Sequence, residues 1–544
     1  MKKDLFLAIL GLLLICSGGL KAQAFQDTPV LPYQTNRSPL FGKDIVLNPR
    51  PDENQHTVRV CSAYNGWLYA IYSYDSLGYL WHTVIKSEDN GINWSLLLNE
   101  MFPDQNCFFQ SLDIMVLGNT ITNLKLYFAS VITNNNLLGY GVGWVVRYNA
   151  ITGVWEKTLF ETDHIRDISF TSDFLFPADF ADPYSIGVTI SMKGYSDDEY
   201  LYYYSSANGG ESLVINDTLG ISDKPFLDLS LAYGRSPSWS SGRYYAVWEQ
   251  ADNVNSPTGH IYTAHTEPNF NSPFTKPVCI DSLDPSAINL CRNPVIACQY
   301  NDTDNDSANL TTVILYEQYD PLNDRFDVKG VYNLQSTLTS YFKPISFTNP
   351  AHENIQPDIA FNPYTSKFMA TWYDATDHKL PFVTNNLNFQ QPNDWTIVSA
   401  GYNDAPDLED PNPKVRLNFN EQKGINVWRS EGAGGNGVAL FDAEYSTWTS
   451  VSEINQGEGE RLLGAYPNPC NQYLNIVFEL EKTEKVTIRL YNLTGQGLEL
   501  LCEQAYPSGK NIFRTATADL SPGTYIYSFK AGEFSGYGKF SIIR

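Results

Sequence analysis

The sequence predicts an all-β protein: a β-propeller of seven blades, with six and eight as alternatives, followed by a small Ig-like β-sandwich. Three observations lead to this prediction. Seven segments of similar length repeat along the chain, each has room for about four short strands, and no helical periodicity separates them. Tyr, Phe, Trp, Thr and Val recur in short runs, as is typical of strands. Because one four-stranded sheet cannot bury both of its faces, we expect the sheets to pack radially around an axis.

Each repeat opens with a short alternating strand, and a turn leads to a second strand that ends in an aromatic residue. The predicted first strands are 57–64, 111–118, 166–173, 226–233, 293–300, 356–363 and 413–420. The second strands include 68–75, 244–252, 312–320, 368–377 and 424–432. Residues 40–48 are a candidate for the strand that closes the ring. We therefore assign the propeller to residues 25–455.

Composition limits the function classes. The chain has 544 residues with 43% hydrophobic and 18% charged residues, which is enough apolar material for a core and too little charge for disorder. Its formal net charge of −24 repels nucleic acid and anionic lipid. Neither is expected as a partner.

The first 24 residues have the parts of a secretory signal peptide. Lys2 and Lys3 precede an apolar run over 5–16, which is shorter than the roughly 20 residues of a membrane-spanning helix. Ala22-Gln23-Ala24 offers a small-residue cleavage site. We expect residues 1–24 to be removed and the mature chain to have no transmembrane segment.

Seven cysteines remain after the signal peptide, so at least one is unpaired. The pairings that we expect are Cys279 with Cys291 and Cys470 with Cys502, and spacing alone leaves others open. No CxxC occurs, which argues against a zinc ribbon.

A turn motif occurs at Ser87, Asp89, Gly91 and Trp94. Ser and Asp side chains shape such turns, Gly permits positive φ, and Trp is a large anchor. A weaker copy consists of Ser206, Asn208, Gly210 and Leu213. The motif resembles the Asp-box (BNR repeat) of sialidase-like propellers, which lies between outer strands, and the resemblance implies a structural role. It does not extend to sialidase chemistry, because the chain has no Arg-Ile-Pro motif and no distinct arginine triad.

The residue pattern of the sequence changes after Gly459. We assign residues 456–463 to a linker and residues 464–544 to a second domain, whose strands alternate apolar and polar residues. The turn and strand motifs of this domain include Tyr466, Pro467, Asn468, Pro469, Gly495, Pro522, Gly523, Tyr525 and Lys539. They closely resemble the type A C-terminal sorting domain of the type IX secretion system of Bacteroidetes. The resemblance implies export by that machinery and removal of the domain, with the protein then secreted or displayed on the outer cell surface.

Two groups of polar residues are candidate sites. Glu249, Glu317, Asp374 and Arg429 follow the aromatic residue of successive second strands, and a propeller would arrange such positions as a ring that binds a ligand. Asp302, Asp304 and Asp306 alternate along one segment and are a candidate for a structural calcium site, although an EF-hand would need Gly and Glu where Ser307 and Val313 stand. No other cofactor is indicated.

The function expected from the sequence is that of a secreted or cell-surface propeller that binds a glycan or a protein without catalysis. Two alternatives stay open. One is a glycoside hydrolase or lyase of the sialidase-like class, whose acid–base chemistry needs two carboxylates about 5–10 Å apart. The other is a structural subunit of a surface assembly, which a broad exposed apolar patch would favour.

Overall fold

The computed structural model forms two compact units, residues 1–444 and 445–544. The residues that it describes are 41, 44–47, 54–134, 140–173, 185–194, 197–235, 242–253, 256, 258–267, 272–281, 290–300, 310–333, 343–345, 348–385, 395–404, 408, 410–431, 437–444, 461–466, 470, 473–492, 497–518, 520–521, 523–532 and 534–542. The predicted signal peptide lies outside them.

The described part of the first unit consists almost entirely of antiparallel strands. The N-terminal strand and those of the first three blades are Ile45–Val46 (β1), Asn54–Ser62 (β2), Leu68–Ser76 (β3), Tyr79–Ser87 (β4), Ser95–Gln105 (β5), Cys107–Leu117 (β6), Lys125–Asn134 (β7), Gly141–Asn149 (β8), Trp155–Ser172 (β9), Ile186–Lys193 (β10), Glu199–Ser206 (β11) and Val214–Ser222 (β12). A short 3₁₀ helix, Ile121–Asn123, precedes β7.

Four further blades follow. Their strands are Phe226–Gly234 (β13), Arg243–Ala251 (β14), Gly259–His265 (β15), Val278–Cys279 (β16), Cys291–Cys298 (β17), Thr312–Asp320 (β18), Arg325–Asn333 (β19), Lys343–Ile345 (β20), Asn354–Asn362 (β21), Lys367–Asp374 (β22), Phe382–Asn385 (β23), Trp395–Ser399 (β24), Lys414–Asn418 (β25), Lys423–Glu431 (β26) and Gly437–Ala443 (β27). The first strands therefore begin within a few residues of the predicted positions, except in the third blade.

The long strand β9 belongs to both the second and the third blade. Its first half pairs with β8 and its second half pairs with β10. His164, at φ 63°, lies between the halves and bends the strand from one blade into the next. The seven innermost strands are thus β2, β6, the second half of β9, β13, β17, β21 and β25.

These strands form a closed ring, since each contacts the innermost strand of a neighbouring blade and β25 contacts β2. The strand order confirms the propeller and its seven blades over the described residues. Apolar side chains fill the space between blades. Ile71 and Val84 of the first blade, for example, share a buried cluster with Ile114 and Leu126 of the second.

The N-terminal strand closes the ring. Ile45 and Val46 pair with Phe441 and Leu440 of β27, so β1 is the outermost strand of the seventh blade. Within the candidate segment 40–48, Ile45 and Val46 thus form a strand that pairs the start of the propeller with its last strand.

The second unit is a sandwich of two antiparallel sheets. Its strands are Arg461–Tyr466 (β28), Tyr473–Leu480 (β29), Glu484–Asn492 (β30), Gly497–Tyr506 (β31), Gly509–Ala516 (β32), Gly523–Ala531 (β33) and Phe534–Ile542 (β34). The sheets have the orders β28-β29-β32 and β31-β30-β33-β34. Ile476 and Phe478 of one sheet and Ile488 and Leu490 of the other are fully buried in one core, as the alternating pattern predicts.

The expected disulfides are wrong. Cys291, Cys470 and Cys502 are free thiols, so neither pairing is present. The thiol of Cys291 hydrogen-bonds to a carboxylate, and Cys502 Sγ lies 3.7 Å from the hydroxyl of Tyr506. Each sulfur therefore meets a polar partner on its own side of the core instead of the other cysteine.

Candidate functional site

A channel runs along the axis of the propeller. It contains a cavity of about 270 Å³, and the innermost strand of every blade contributes to its lining. Representative lining residues, in blade order, are Cys61, Met115, Ser169, Ser230, Ile296, Asp358 and Arg416. The lining takes runs of consecutive residues from the innermost strands, such as 113–117 and 230–233, and it mixes polar and apolar side chains.

One end of the channel is strongly charged. All seven innermost strands run in the same direction, so the residues near their starts gather at the same end. We call this end the charged mouth and define it by Arg59, Asp113, Asp167, Asp228, Asp358, Lys414 and Arg416.

Carboxylates of the mouth hold adjacent blades together. Asp167 Oδ2 accepts a hydrogen bond of 2.6 Å from the backbone N–H of Leu229 in the next blade. Asp358 Oδ2 accepts one of 2.8 Å from Val415 N in the same way. Because hydrogen bonds to a charged acceptor are stronger than neutral ones, these carboxylates are first of all links between blades.

A β-bulge near the start of the innermost strand sets the orientation of these side chains. The pairing register shifts between Leu227 and Ser230 in the fourth blade and between Ile355 and Asp358 in the sixth. Asp228 lies within the first bulge at φ 49°. Such a bulge inserts an extra residue and re-aims its neighbours, which turns the acidic side chains toward the axis and the next blade.

The basic residues of the mouth lie beside these acids. Arg416 Nη1 is 2.8 Å from Asp358 Oδ2, and Arg416 Nη2 is 3.8 Å from Asp113 Oδ1. Lys414 Nζ is 3.7 Å from Asp358 Oδ1. Arg416 and Lys414 therefore share the carboxylate of Asp358, and the carboxylate of Asp113 also acts on both cations.

The crowding of positive charge changes the acidity of these groups. Burial lowers the pKa of Lys414 to about 8, and the charges of Arg59 and Arg416 act in the same direction against the attraction of Asp358. Burial also lowers the pKa of Arg59. On the opposite side, burial and the charge of Asp228 raise the pKa of Asp167 to about 7, although backbone N–H groups bond to its carboxylate.

The predicted ring of second-strand residues has a different place. Glu317 Oε1 accepts 2.8 Å from Gln356 N, and Arg429 Nε donates over 2.8 Å to Gln55 O. Each bond reaches the innermost strand of the next blade. Glu249 makes a corresponding bond, to the backbone of Asn293 in β17. The cavity lining includes none of these three residues.

Glu249 and Glu317 occupy equivalent positions but differ in their surroundings. Glu317 is fully buried and accepts hydrogen bonds from Arg292 Nε at 2.7 Å and Asn293 Nδ2 at 2.6 Å. Glu249 is 2% exposed and faces Asp228. Burial, together with the charge of Asp228, raises the pKa of Glu249 to about 10. Glu249 is therefore protonated at neutral pH and donates its proton to the Asp228 carboxylate.

Asp374, the fourth residue of the predicted ring, bonds within its own blade. Its Oδ2 lies 2.8 Å from His352 Nδ1, and its Oδ1 accepts from the backbone N–H groups of Thr376 and Asp377. The side chains of His352, Asp374 and Asp377 are close enough together to share a cation. The bonds to the backbone indicate a turn-forming role for Asp374.

The first turn motif connects β4 and β5, the two outer strands of the first blade. Ser87 Oγ accepts 2.8 Å from Gly91 N and donates over 2.9 Å to Asp89 Oδ1. Gly91 has φ 91°. Trp94, 1% exposed, donates from Nε1 to Gly91 O at 2.8 Å and packs edge-on against Phe441 of the seventh blade. The turn is thus folded by its own side chains and anchored to another blade.

The second copy repeats the same hydrogen bonds between β11 and β12. Ser206 Oγ accepts 2.9 Å from Gly210 N and donates over 2.7 Å to Asn208 Oδ1. Gly210 has φ 80°. Both turns lie at outer strands, away from the channel lining.

Several predicted residues are outside the described part of the chain. They are Asp302, Asp304, Asp306, Pro467, Asn468, Pro469, Gly495 and Pro522. Of the remaining sorting motifs, Tyr466 ends β28, Gly523 and Tyr525 lie in β33, and Lys539 lies in β34 opposite Ile526.

The sequence analysis does not single out the charged mouth. A signal for it exists, because a charged residue recurs near the start of predicted first strands, as in Arg59, Asp113, Asp167 and Asp228. Polar residues are common at the start of strands. Only the ring topology shows that these four residues lie at the same end of the channel.

A comparison with protein-family models matches residues 464–543 to the family described as "Secretion system C-terminal sorting domain". The sandwich is therefore a sorting domain of the type IX secretion system, and it indicates export by that system to the cell surface or beyond it. In the part of the chain that the structure describes, no helix combines the length and the apolar character needed to cross a bilayer.

A comparison with curated protein sequences finds no match. Solved structures that are similar include an alpha-L-arabinanase of Penicillium chrysogenum with arabinobiose (13% identity, TM-score 0.40, covering 76% of this chain and 98% of the other). Another is the polysaccharide lyase Uly1 (8%, 0.41, 77% and 93%). A third is a Trypanosoma rangeli sialidase (9%, 0.36, 95% and 89%).

Proposed function

We propose that this exported protein uses the charged mouth of its propeller to bind an anionic unit of an extracellular glycan, without catalysis. The observation that carries the proposal is the convergence of Arg59, Lys414 and Arg416 at one side of the mouth. The nearby carboxylates are already engaged by backbone N–H groups. A bound carboxylate or sulfate would give these three cations a further hydrogen-bond acceptor.

Of the three basic residues, Arg416 lines the cavity, and Arg416 has Arg59 as a neighbour. The hydrogen bond of the Arg59 guanidinium is to the carbonyl of Val58, at 2.8 Å, and the side chain is partly exposed. A guanidinium presents a planar fork of donors that matches a carboxylate or sulfate in two bonds. An anion here would also offset the charges of Arg59 and Arg416, which add to the effect of burial on the pKa of Lys414.

The size of the cavity favours a single sugar unit. Its volume of about 270 Å³ is near the lower limit of about 300 Å³ for small-molecule pockets. The anionic residue of a glycan would therefore occupy the mouth, while the rest of the chain extends outward. A long polymer could bind by its end or by a side branch.

Binding should depend on pH through Lys414. With a pKa of about 8, this lysine is charged at pH 7 and largely neutral at pH 9. An anion binds the charged form better, so the affinity should fall as the pH rises through 8. The Lys414→Gln variant should bind about tenfold more weakly at pH 7, as expected for one lost charge-assisted hydrogen bond of about 1.5–3 kcal/mol, and should lose this pH dependence.

The test is a glycan array probed with the mature full-length protein at pH 7 and pH 9. Neutral, uronate-bearing, sialylated and sulfated glycans form separate arms. Arg59→Gln and Lys414→Gln are compared with Lys157→Gln, whose surface ion pair with Glu211 lies beside the turn between the outer strands β11 and β12. Selective binding of anionic glycans that both mouth variants weaken supports the proposal. Equal binding of neutral glycans, or no effect of the variants, contradicts it.

One observation favours an enzyme as the second candidate. The pKa of Asp167, at about 7, suits a general acid or base at neutral pH. A glycoside hydrolase or lyase using this residue would release reducing ends or unsaturated sugars from the glycans that bind. Loss of that turnover in Asp167→Asn, with binding retained, would establish the second candidate over the first.

A further inference from the structure

A cluster of metal-ligating side chains lies where the fourth blade meets the fifth, outside the charged mouth. His260 is in β15, and Cys279 is in β16, paired with β15 opposite Tyr262. Asp281 follows β16 by two residues. Cys291 begins β17, where it pairs with Gly259 of β15. The pairing of these three strands brings the four side chains together from distant parts of the sequence.

The functional atoms converge on one carboxylate. His260 Nδ1 is 2.9 Å from Asp281 Oδ2, and Cys279 Sγ is 3.2 Å from Asp281 Oδ1. The thiol of Cys291 also hydrogen-bonds to Asp281. The ligand atoms of His260, Cys279 and Asp281 all lie within 4.8 Å of one another.

We propose that His260, Cys279, Asp281 and Cys291 form a structural zinc site. Two sulfurs, one imidazole nitrogen and one carboxylate oxygen are ligands that zinc accepts, and sulfur disfavours the hard cations calcium and magnesium. Bond lengths of about 2.0–2.3 Å in a tetrahedron place ligand atoms about 3.3–3.8 Å apart. The ligand atoms of His260, Cys279 and Asp281 require only small shifts to reach this arrangement, and the Cys291 thiol, which bonds to Asp281, would have to turn toward the other three.

The surroundings support the site. His260 is 5% exposed and Cys291 is 1% exposed, so solvent would compete little for these ligands. The backbone N–H of Ile261 donates over 2.8 Å to Asp281 Oδ1, which orients the carboxylate as outer-shell groups do in metal sites.

The proposed zinc would join two blades. His260, Cys279 and Asp281 belong to the fourth blade, whereas Cys291 starts the innermost strand of the fifth. A metal bound by all four would therefore fix the start of β17 to the outer part of its neighbour. It would take both sulfurs as thiolates and displace their protons, since a coordinated thiol is deprotonated.

The experiment measures zinc in the mature full-length protein after incubation with zinc and removal of excess metal. We expect one tightly bound zinc per chain. Replacement by cobalt should give a thiolate-to-cobalt charge-transfer band, and a chelator should lower the melting temperature. Alkylation of Cys279 in the wild-type protein should be slower with zinc than with chelator, a readout that needs no variant.

Cys279→Ser and His260→Gln should lose the zinc and the cobalt band, while Cys298→Ser, a buried cysteine of the same blade as Cys291, should keep both. A disulfide between Cys279 and Cys291 in peptide mapping would overturn the proposal. So would a zinc content below one tenth per chain, or a cobalt band that persists in Cys279→Ser.

Discussion

The contact of buried Glu249 with Asp228 should make the propeller less stable as the pH rises. Folded Glu249 keeps its proton to a pKa of about 10, whereas in the unfolded chain it ionises near 4.5. Between these values the folded state holds one more proton, so its stability falls with increasing pH. One pKa unit corresponds to about 1.4 kcal/mol, so between pH 6 and pH 8 this carboxyl lowers the unfolding free energy by roughly 3 kcal/mol.

The Glu249→Gln variant isolates this contribution. A glutamine amide stays neutral at every pH and can donate to Asp228 in place of the carboxylic acid. Relative to wild type, the variant should therefore gain about 2–3 kcal/mol of unfolding free energy between pH 6 and pH 8. Urea unfolding at constant ionic strength, followed by tryptophan fluorescence at both pH values, measures the difference.

Glu317→Gln is the matched control, at the equivalent position of the next blade. Its carboxylate accepts hydrogen bonds from Arg292, Asn293 and Gln356 N. The NH₂ group of a glutamine, itself a donor, would face at least one of these donors. This variant should be destabilised by about 1.5–3 kcal/mol at both pH values alike. If the curves of Glu249→Gln and wild type shift in parallel, Glu249 is ionised at neutral pH and the reasoning fails.

Two further predictions concern the ring. Gly91→Ala should lower the melting temperature well beyond Gly78→Ala. Both glycines have positive φ, but a Cβ at Gly91 would lie 2.2 Å from the Phe441 ring, whereas a Cβ at Gly78 would have no atom within 4 Å. Equal losses of melting temperature by calorimetry would contradict this. Deleting residues 25–47 from the mature protein should expose the edge of β27 and make the propeller sensitive to proteolysis. Resistance equal to that of the intact protein would show that β1 does not close the ring.

The sequence predicts the blades well because the cause is local. Alternating apolar residues over 226–233 or 356–363 define a strand whatever surrounds them. Of the candidate closing segment 40–48, the two β-branched residues Ile45 and Val46 form a strand.

The position of the site depends on features that no single segment contains. Glu249 and Glu317 follow an aromatic residue in equivalent strands, yet one faces Asp228 and the other Arg292. A bulge of one residue decides which side chains reach the axis, and Asp228 lies within such a bulge.

The metal cluster is hidden for a related reason. His260, Cys279, Asp281 and Cys291 show no CxxC or similar spacing, because they come from separate strands of two blades. Only the pairing of Gly259 with Cys291 and of Tyr262 with Cys279 brings them together.

The closing strand also has a kinetic consequence. Ile45 pairs with Phe441, so the ring cannot be completed until nearly the whole propeller has emerged and its two ends have met. Contacts of such sequence separation form slowly, and until then the first and seventh blades present open edges. Once formed, the pairing of β1 with β27 must break before the ring can open at this position. Outside the cell, where no chaperone refolds a damaged chain, resistance to proteases then depends on the rate at which β1 separates from β27 more than on equilibrium stability.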